Sequence, residues 1–418
     1  MKIWRAKDNT ENGSVLIASI FVGGILALAL GSYLMIARAQ YVSSMRSESW
    51  NSALTLAEAG VEEALAQLNP GASVNLDAMS MVNARRANNW GGGPSTGIYG
   101  PISRKLAEGS YTVAFSVATA PVIYSTGHVT IPTLSANLSR IVRVTTTNIP
   151  LFNAAAAVRS NITMTGTSQN FVFARSYDSS NPSGVTTNGD LLSLLGNISI
   201  GSSQVKGDLF LGPGSSGSSK VSGKTSHDLN ADFNDAVLPD GSWLPPVGGN
   251  RTINGTTYQY VFGSSGDYSI ATPGAIYVGP SAQVRLKIVS DNFAATAIKV
   301  AGTGSQKGKL TIYDNGTSFT LNGNADSDSN DPAALTYFGL PQNKGIVFNK
   351  NSYFTGTIYA PSANFTNNVL LRTQATFSGA LTVNSIFING LASFAFDEHL
   401  LKSQNLSRGY LVTSWREL

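Results

Sequence analysis

Residues Val15 to Ala37 read VLIASIFVGGILALALGSYLMIA, with no charged side chain among them. At about 1.5 Å rise per residue the run makes a helix of roughly 34 Å, enough to cross a hydrocarbon layer of about 30 Å. Lys2, Arg5 and Lys7 precede it and Arg38 and Arg46 follow, an excess that favours a cytoplasmic N-terminus and an exported C-terminal body. A cleaved secretory signal is the competing reading, because Ala37-Arg38-Ala39 resembles a small-residue cleavage site. The apolar run is longer than the core of such signals, and Asp8 and Glu11 lie in the leader. A plain membrane anchor without any assembly role is the other alternative.

Working outward, the helical pattern continues past the membrane. Arg38 to Leu68 is rich in Ala, Leu, Glu and Gln and lacks Pro until Asn69-Pro70, which ends it. Leu54, Ala57, Val61, Ala64, Leu65 and Leu68 recur at three- and four-residue spacing, one apolar stripe that requires a partner to cover it.

The order Gly13-Ser14-Val15-Leu16-Ile17, followed by ALTLAEAGVEEALAQL at Ala53–Leu68, resembles the N-terminal region of PilX-type minor pilins. The resemblance implies that a prepilin peptidase cuts after Gly13 and that Ser14 becomes the first mature residue. Major pilins carry Glu at the fifth mature position; here it is Ala18, which points away from a filament-shaft subunit.

Farther along, 71–108 reads as loop, with Gly91-Gly92-Gly93-Pro94 as a break. Alternating segments at Tyr111–Val117, Val122–Gly127 and Ile141–Val144 are candidate strands. With the amphipathic half of the helix they make a small α+β head over 71–150, and their order resembles PilX-type proteins.

From 151 the pattern becomes short strands punctuated by Gly. Apolar-x-apolar-x-Gly recurs at Ile162–Gly166, Phe319–Gly323 and Ile386–Gly390, and Phe354-Thr-Gly-Thr-Ile358 matches Phe377-Ser-Gly-Ala-Leu381 at an offset of 23 residues. An offset of that size is the period of a stacked coil. The expected fold is therefore mostly β: a right-handed parallel β-helix over 151–401, preceded by a leader at 1–13, the long helix at 14–70 and the head. Residues 402–418 are expected as a tail, and Phe394–Leu401 as the cap of the last coil. An ordinary β-sandwich is the alternative.

Ser176-Tyr-Asp-Ser179, Val205-Lys-Gly-Asp208, Gly212-Pro-Gly214, the stretch from Phe354 to Pro361 and Phe394-Ala-Phe-Asp-Glu398 resemble, in that order, an uncharacterised bacterial β-helix domain family. Its members read Phe-His-Tyr-Asp-Glu near the end, where this chain has Ala395-Phe396 in place of His-Tyr. The family carries no assigned activity.

Composition narrows the chemistry. Charged residues are 12% and apolar residues 42%, too apolar for disorder and too poor in charge for a coiled coil. Lys+Arg number 28 against 24 Asp+Glu, scattered and never interleaved with aromatics as a nucleic-acid surface requires. Cys is 0, which excludes disulfides, thiolate metal sites and thiol catalysis. Asp228, Asp232 and Asp235, with His227 nearby, are the one carboxylate group able to share a helical face, but turn-like surroundings make them solvated loop acids; no enzyme and no cofactor is expected. Asp326, Asp328 and Asn330 alternate as calcium-loop ligands do, without the Gly at the sixth position or the acid at the twelfth. Trp243, Tyr258, Tyr260 and Tyr277 are sugar-stacking candidates that nothing in the sequence places on one face. A glycan or surface ligand, pilus or secretion-filament subunits, a prepilin peptidase and the membrane are the partners this reading implies. The expected location is the bacterial inner membrane, with the body periplasmic or extracellular.

Overall fold

The computed structural model describes residues 12–69, 85, 87–118, 120–131, 136–166, 171–181, 185–217, 220–246, 249–349, 352–368, 375–402 and 407–418. The leader therefore lies outside the described residues except for Asn12 and Gly13. Two compact units are present: Met1–Leu65 with Asn89–Thr146 and Val412–Leu418, and Ala66–Asn88 with Thr147–Leu411.

In the first unit, helix α1 (Asn12–Leu68) runs without interruption from the apolar stretch into the amphipathic one. It packs on an antiparallel sheet of β1 (Gly92–Gly93), β2 (Ile98–Leu106), β3 (Gly109–Ser116), β4 (Val122–Ile131) and β5 (Ala136–Pro150), with the strand Ser407–Glu417 beside β5. The sheet is larger than expected: β2 occupies part of the expected loop, and residues expected as a tail form its last strand. Arg140 explains the hold on that strand. Its guanidinium lies under the Trp50 ring at 4.0 Å and pairs with Glu417, so a cation–π contact and an ion pair converge on one buried side chain.

The helix face against the sheet is Ala53, Leu56, Ala57, Gly60, Val61 and Ala64, all buried. Leu54 and Leu65 lie half-buried at its margin, so the expected stripe is rotated toward smaller residues. The reason is close approach. A Cβ on Gly127 would lie 1.9 Å from the Ala53 carbonyl, and one on Gly60 would lie 2.2 Å from Ser125 Oγ. At Gly127 backbone meets backbone and at Gly60 the helix meets the Ser125 and Tyr111 side chains, approaches that larger residues would prevent. Trp90 and Phe115 (ring centroids 5.1 Å apart) fill the adjoining core.

The second unit is built on a mostly parallel sheet of 23 strands among the described residues, in which Val185–Thr186 pairs antiparallel with Val172–Tyr177. Its strands form three rows. One begins Tyr260–Phe262, Ile276–Val278, Ile298–Val300, Ala325–Ser327; a second begins Gly266–Ile270, Gln283–Ile288, Lys309–Asp314, Leu335–Gly339; a third begins Asn292–Ala295, Ser318–Leu321, Gly345–Asn349. All three rows reach the long strand Phe354–Asn368, which pairs along its length with Ala375–Asn389. Phe354 is opposite Phe377, Gly356 opposite Gly379 and Ile358 opposite Leu381, so the 23-residue offset is the register itself.

Register makes apolar columns. Leu286, Ile312, Tyr337, Ile358, Leu381, Ala156, Leu191 and Leu209 follow one another across the second row, and Phe293, Phe319, Ile346, Phe365, Ile386, Ile162 and Ile198 across the third. Each is buried, and at about 1.5–3 kcal/mol per large apolar side chain these columns are the main stabilising element. Asn and Asp side chains close the turns: Asn161 Oδ1 accepts from the Asn197 N–H, Asn197 Oδ1 from Ser216, Asp190 Oδ1 from Asp208 and Asp208 Oδ1 from Lys224, all at 2.7–2.8 Å.

Sequence order and spatial order part company at the C-terminal end. Ala375–Asn389 is followed in space by Ala156–Val158 and Ile162–Met164, and Ala392–Asp397 pairs on its far side with Val172–Tyr177. From there the rows continue through Leu191–Ser193 and Leu209–Leu211 to Thr225–Ser226. Phe394–Leu401 is thus not a terminal cap. Its strand has neighbours on both sides, and Phe394 and Phe396 are buried at 1% exposure. Between the two blocks the chain returns along the outside of the second row, where Phe233 packs on Ala154, Ala157 and Leu192 and the Asn234 carbonyl accepts from Tyr359 Oη at 2.6 Å. Trp243 then meets Tyr313 edge-on, and Leu244 bridges to Tyr268 at the opposite end of the sheet.

Candidate functional site

Gly13 and Ser14 lie in the first turn of α1; the surroundings of their side chains are outside the described residues. From Val15 to Ile36 the helix is exposed all round: Ile20, Phe21, Leu28, Tyr33 and Met35 each show at least two-thirds of their surface. Gly23, Gly24 and Gly31 have open space where a Cβ would be. Such an apolar surface is stable in a lipid or against other helices, not in water. The segment is a candidate membrane span by length and composition. Ala18 is exposed within it and supplies no carboxylate.

Below it the helix carries a polar triad absent from the sequence reading. Arg104 Nη2 donates to Glu63 Oε1 at 2.8 Å and Tyr111 Oη to Glu63 Oε2 at 2.6 Å. Burial alone would raise the Glu63 carboxyl; the bonds from Arg104 and Tyr111 outweigh it and hold the group below the ordinary glutamate range. The Tyr111 hydroxyl is pushed up to about 12 by burial and by that carboxylate. The partners are 41 and 48 positions apart, and no local pattern announces them.

The calcium candidates hold a lysine. Lys299 Nζ lies 3.0 Å from Asp326 Oδ1 and 2.7 Å from Asp328 Oδ1, Tyr353 Oη donates to Asp326, and the Gly302 N–H donates to Asp328. Asn330 turns the chain with φ 51°. No group of three His, Cys, Asp or Glu side chains able to hold a metal is found among the described residues. Lys299 meets the acids because Ala325–Ser327 lies beside Ile298–Val300 in register, with Asp326 opposite Lys299 and Asp328 directly after the strand.

Asp228, Asp232 and Asp235 share no helical face; their segment has no helical residue, and Asp235 is engaged by Ser362 Oγ at 2.8 Å and by Arg159. Asp397 is fully buried, and its Oδ1 accepts from the Ser179 and His399 N–H groups. Of the aromatic candidates, Tyr258 and Tyr277 meet at 5.3 Å, Trp243 packs on Tyr313, and Tyr260 donates to Thr272, so they form no common platform.

Residues 264–403 match the profile of a domain of unknown function, DUF7305. That segment covers the C-terminal block of the parallel sheet and stops short of α1, the head and the block at 156–226. No curated protein matches the chain. Among solved structures, the competence-associated pilin ComZ from Thermus thermophilus aligns at 15% identity over 88% of this chain and 97% of that one, with a TM-score of 0.31, too loose a likeness to assign a fold. The class of protein these features define is a chain with one exposed apolar helix, an antiparallel head packed on that helix and a large, mostly parallel β unit.

Proposed function

We propose that this chain is a pilin-like surface protein, anchored by α1 in the bacterial inner membrane with its N-terminus cytoplasmic and its body on the far side. The observation that carries the reading is the continuity of α1: one helix whose first half is exposed and uncharged and whose second half is buried against a sheet through Gly60 and Gly127. Cutting after Gly13 by a prepilin peptidase would leave Ser14 at the start of that helix. Ala18, where major pilins carry Glu, supports a minor, tip or membrane-retained role rather than one in the shaft.

The three parallel rows support a β-helix in which each coil contributes one strand per row, right-handed as parallel crossovers almost always are. We read it as a structural or adhesive display unit, not an enzyme; in support, Asp235, Asp326, Asp328 and Asp397 are engaged by lysine, arginine, hydroxyl or backbone partners. Filaments sheared from cells test assembly: the protein copurifies with them if it is a subunit. Its retention in washed membranes, with none in the filaments, would leave a permanently anchored envelope protein instead.

A further inference from the structure

The third row of strands is free of charge. From Asn292–Ala295 to Ile162–Met164 and Ile198–Ser199, its strands contain no Asp, Glu, Lys or Arg at any position. The other two rows differ: Lys299 and Asp326 stand on the first, and Asp267, Arg285 and Lys287 on the second. Asp291 and Lys344 come one position ahead of third-row strands, at the corner. Side chains alternate along each strand, so the residues on either side of the buried Phe and Ile column face out. Register sets them in two files, one residue per strand, with strands about 4.8 Å apart. One file runs Asn292, Ser318, Gly345, Asn364, Ser385; the other runs Thr320, Val347, Thr366, Phe387, Thr163. All are exposed or half-buried. The amides in the first file are fixed. Ser318 Oγ donates to Asn292 Oδ1 and Ser385 Oγ to Asn364 Oδ1, both at 2.7 Å, and Asn384 Nδ2 donates to the same Asn364 oxygen at 2.8 Å. Each Asn keeps its Nδ2 as a donor and each Ser its oxygen as an acceptor. In the second file Thr320 and Thr366 add hydroxyls, and Val347 and Phe387 add apolar steps, with Phe387 43% exposed.

Two Asn–Ser pairs held in place on uncharged ground suit a ligand that is rich in hydroxyls and has no charge. We propose that this face binds a neutral linear glycan lying along the row. Its hydroxyls exchange hydrogen bonds with the Asn–Ser file, and the apolar C–H face of one sugar rests on the Phe387 ring. An acidic polymer or a nucleic acid finds no cation on the face itself to neutralise it. Each polar contact is weak because water competes for it. Affinity therefore comes from the number of strands spanned at once, which favours an extended polymer over a single sugar. The inference rests on the reading of the β unit as an adhesive display, and names what that display would hold.

The test uses the full chain in detergent, with cellohexaose, chitohexaose and mannohexaose as neutral probes and hexagalacturonate as the acidic one. At least one neutral probe should bind, about tenfold or more tightly than its own disaccharide and than hexagalacturonate. Thr320→Arg with Thr366→Arg puts two cations in the middle of the face. That double variant should bind the same probe about tenfold more weakly at an unchanged melting temperature. If it does not fold, Phe387→Ser decides, with an expected loss of about fivefold. No binding of any of the three neutral probes, tighter binding of hexagalacturonate, or undiminished binding by a folded variant overturns the proposal. Copurification with filaments is read separately, so a face that binds none of the probes leaves the pilin-like reading standing.

Discussion

Gly127 and Gly60 show how much of the head depends on a missing atom. A side chain at Gly127 would meet the Ala53 carbonyl and the Ala57 nitrogen, both backbone atoms that cannot rotate away. Gly127→Val should therefore separate helix from sheet, destabilising the head by about 3 kcal/mol or more, read as a lower midpoint in chemical denaturation. Glu63 gives a pH signature. Its carboxyl is held below the ordinary value when folded, so its contribution is complete above about pH 4.3 and is lost as pH falls through the folded value. Glu63→Gln should lower stability near pH 7 by about 1–3 kcal/mol while flattening the acid limb between pH 5 and 3; a variant with the same acid limb as wild type would show that the triad is not coupled to folding. The glycines were visible as residues, but which of them face a backbone was not. That depends on which strand lies under which turn of the helix.

At the scale of elements, legibility follows distance along the chain. The helix ending at Leu68 was readable because its period and the Asn69-Pro70 stop are local, and the match of Phe354–Ile358 with Phe377–Leu381 became a register because neighbouring strands repeat the same core. The docking of Ala375–Asn389 on Ala156–Val158 and Ile162–Met164 left a fainter trace, the apolar-x-apolar-x-Gly shared by Ile162–Gly166 and Ile386–Gly390, whose Ile162 and Ile386 are register partners. It joins blocks more than 200 positions apart, and either block alone has the same alternation of buried and exposed residues. For the same reason Phe394–Leu401 looked like an end and is not one. Thr163 and Phe387 are register partners on neighbouring strands. The chain has no cysteine of its own, so Thr163→Cys with Phe387→Cys should form one disulfide under mild oxidation, seen as faster migration on a non-reducing gel. Free thiols in the folded double variant would contradict this order of blocks.

For the whole molecule, the parallel sheet is an insertion between two neighbouring strands of the head. The chain leaves from β5 and re-enters by Ser407–Glu417, which lies beside β5. Replacing 153–402 by a short Gly/Ser linker should leave a head that resists protease and still loses its fold on Gly127→Val; a protease-sensitive remnant would show that the head needs the insertion. The account rests most heavily on α1 as a retained anchor cut after Gly13. The N-terminal residue of the protein recovered from cell membranes tests this directly. A mature chain beginning at Ser14 is the expected result; a chain beginning at Gln40 would mean that the apolar helix is a removed signal, and a chain beginning at Met1 would mean that no pilin-type processing occurs.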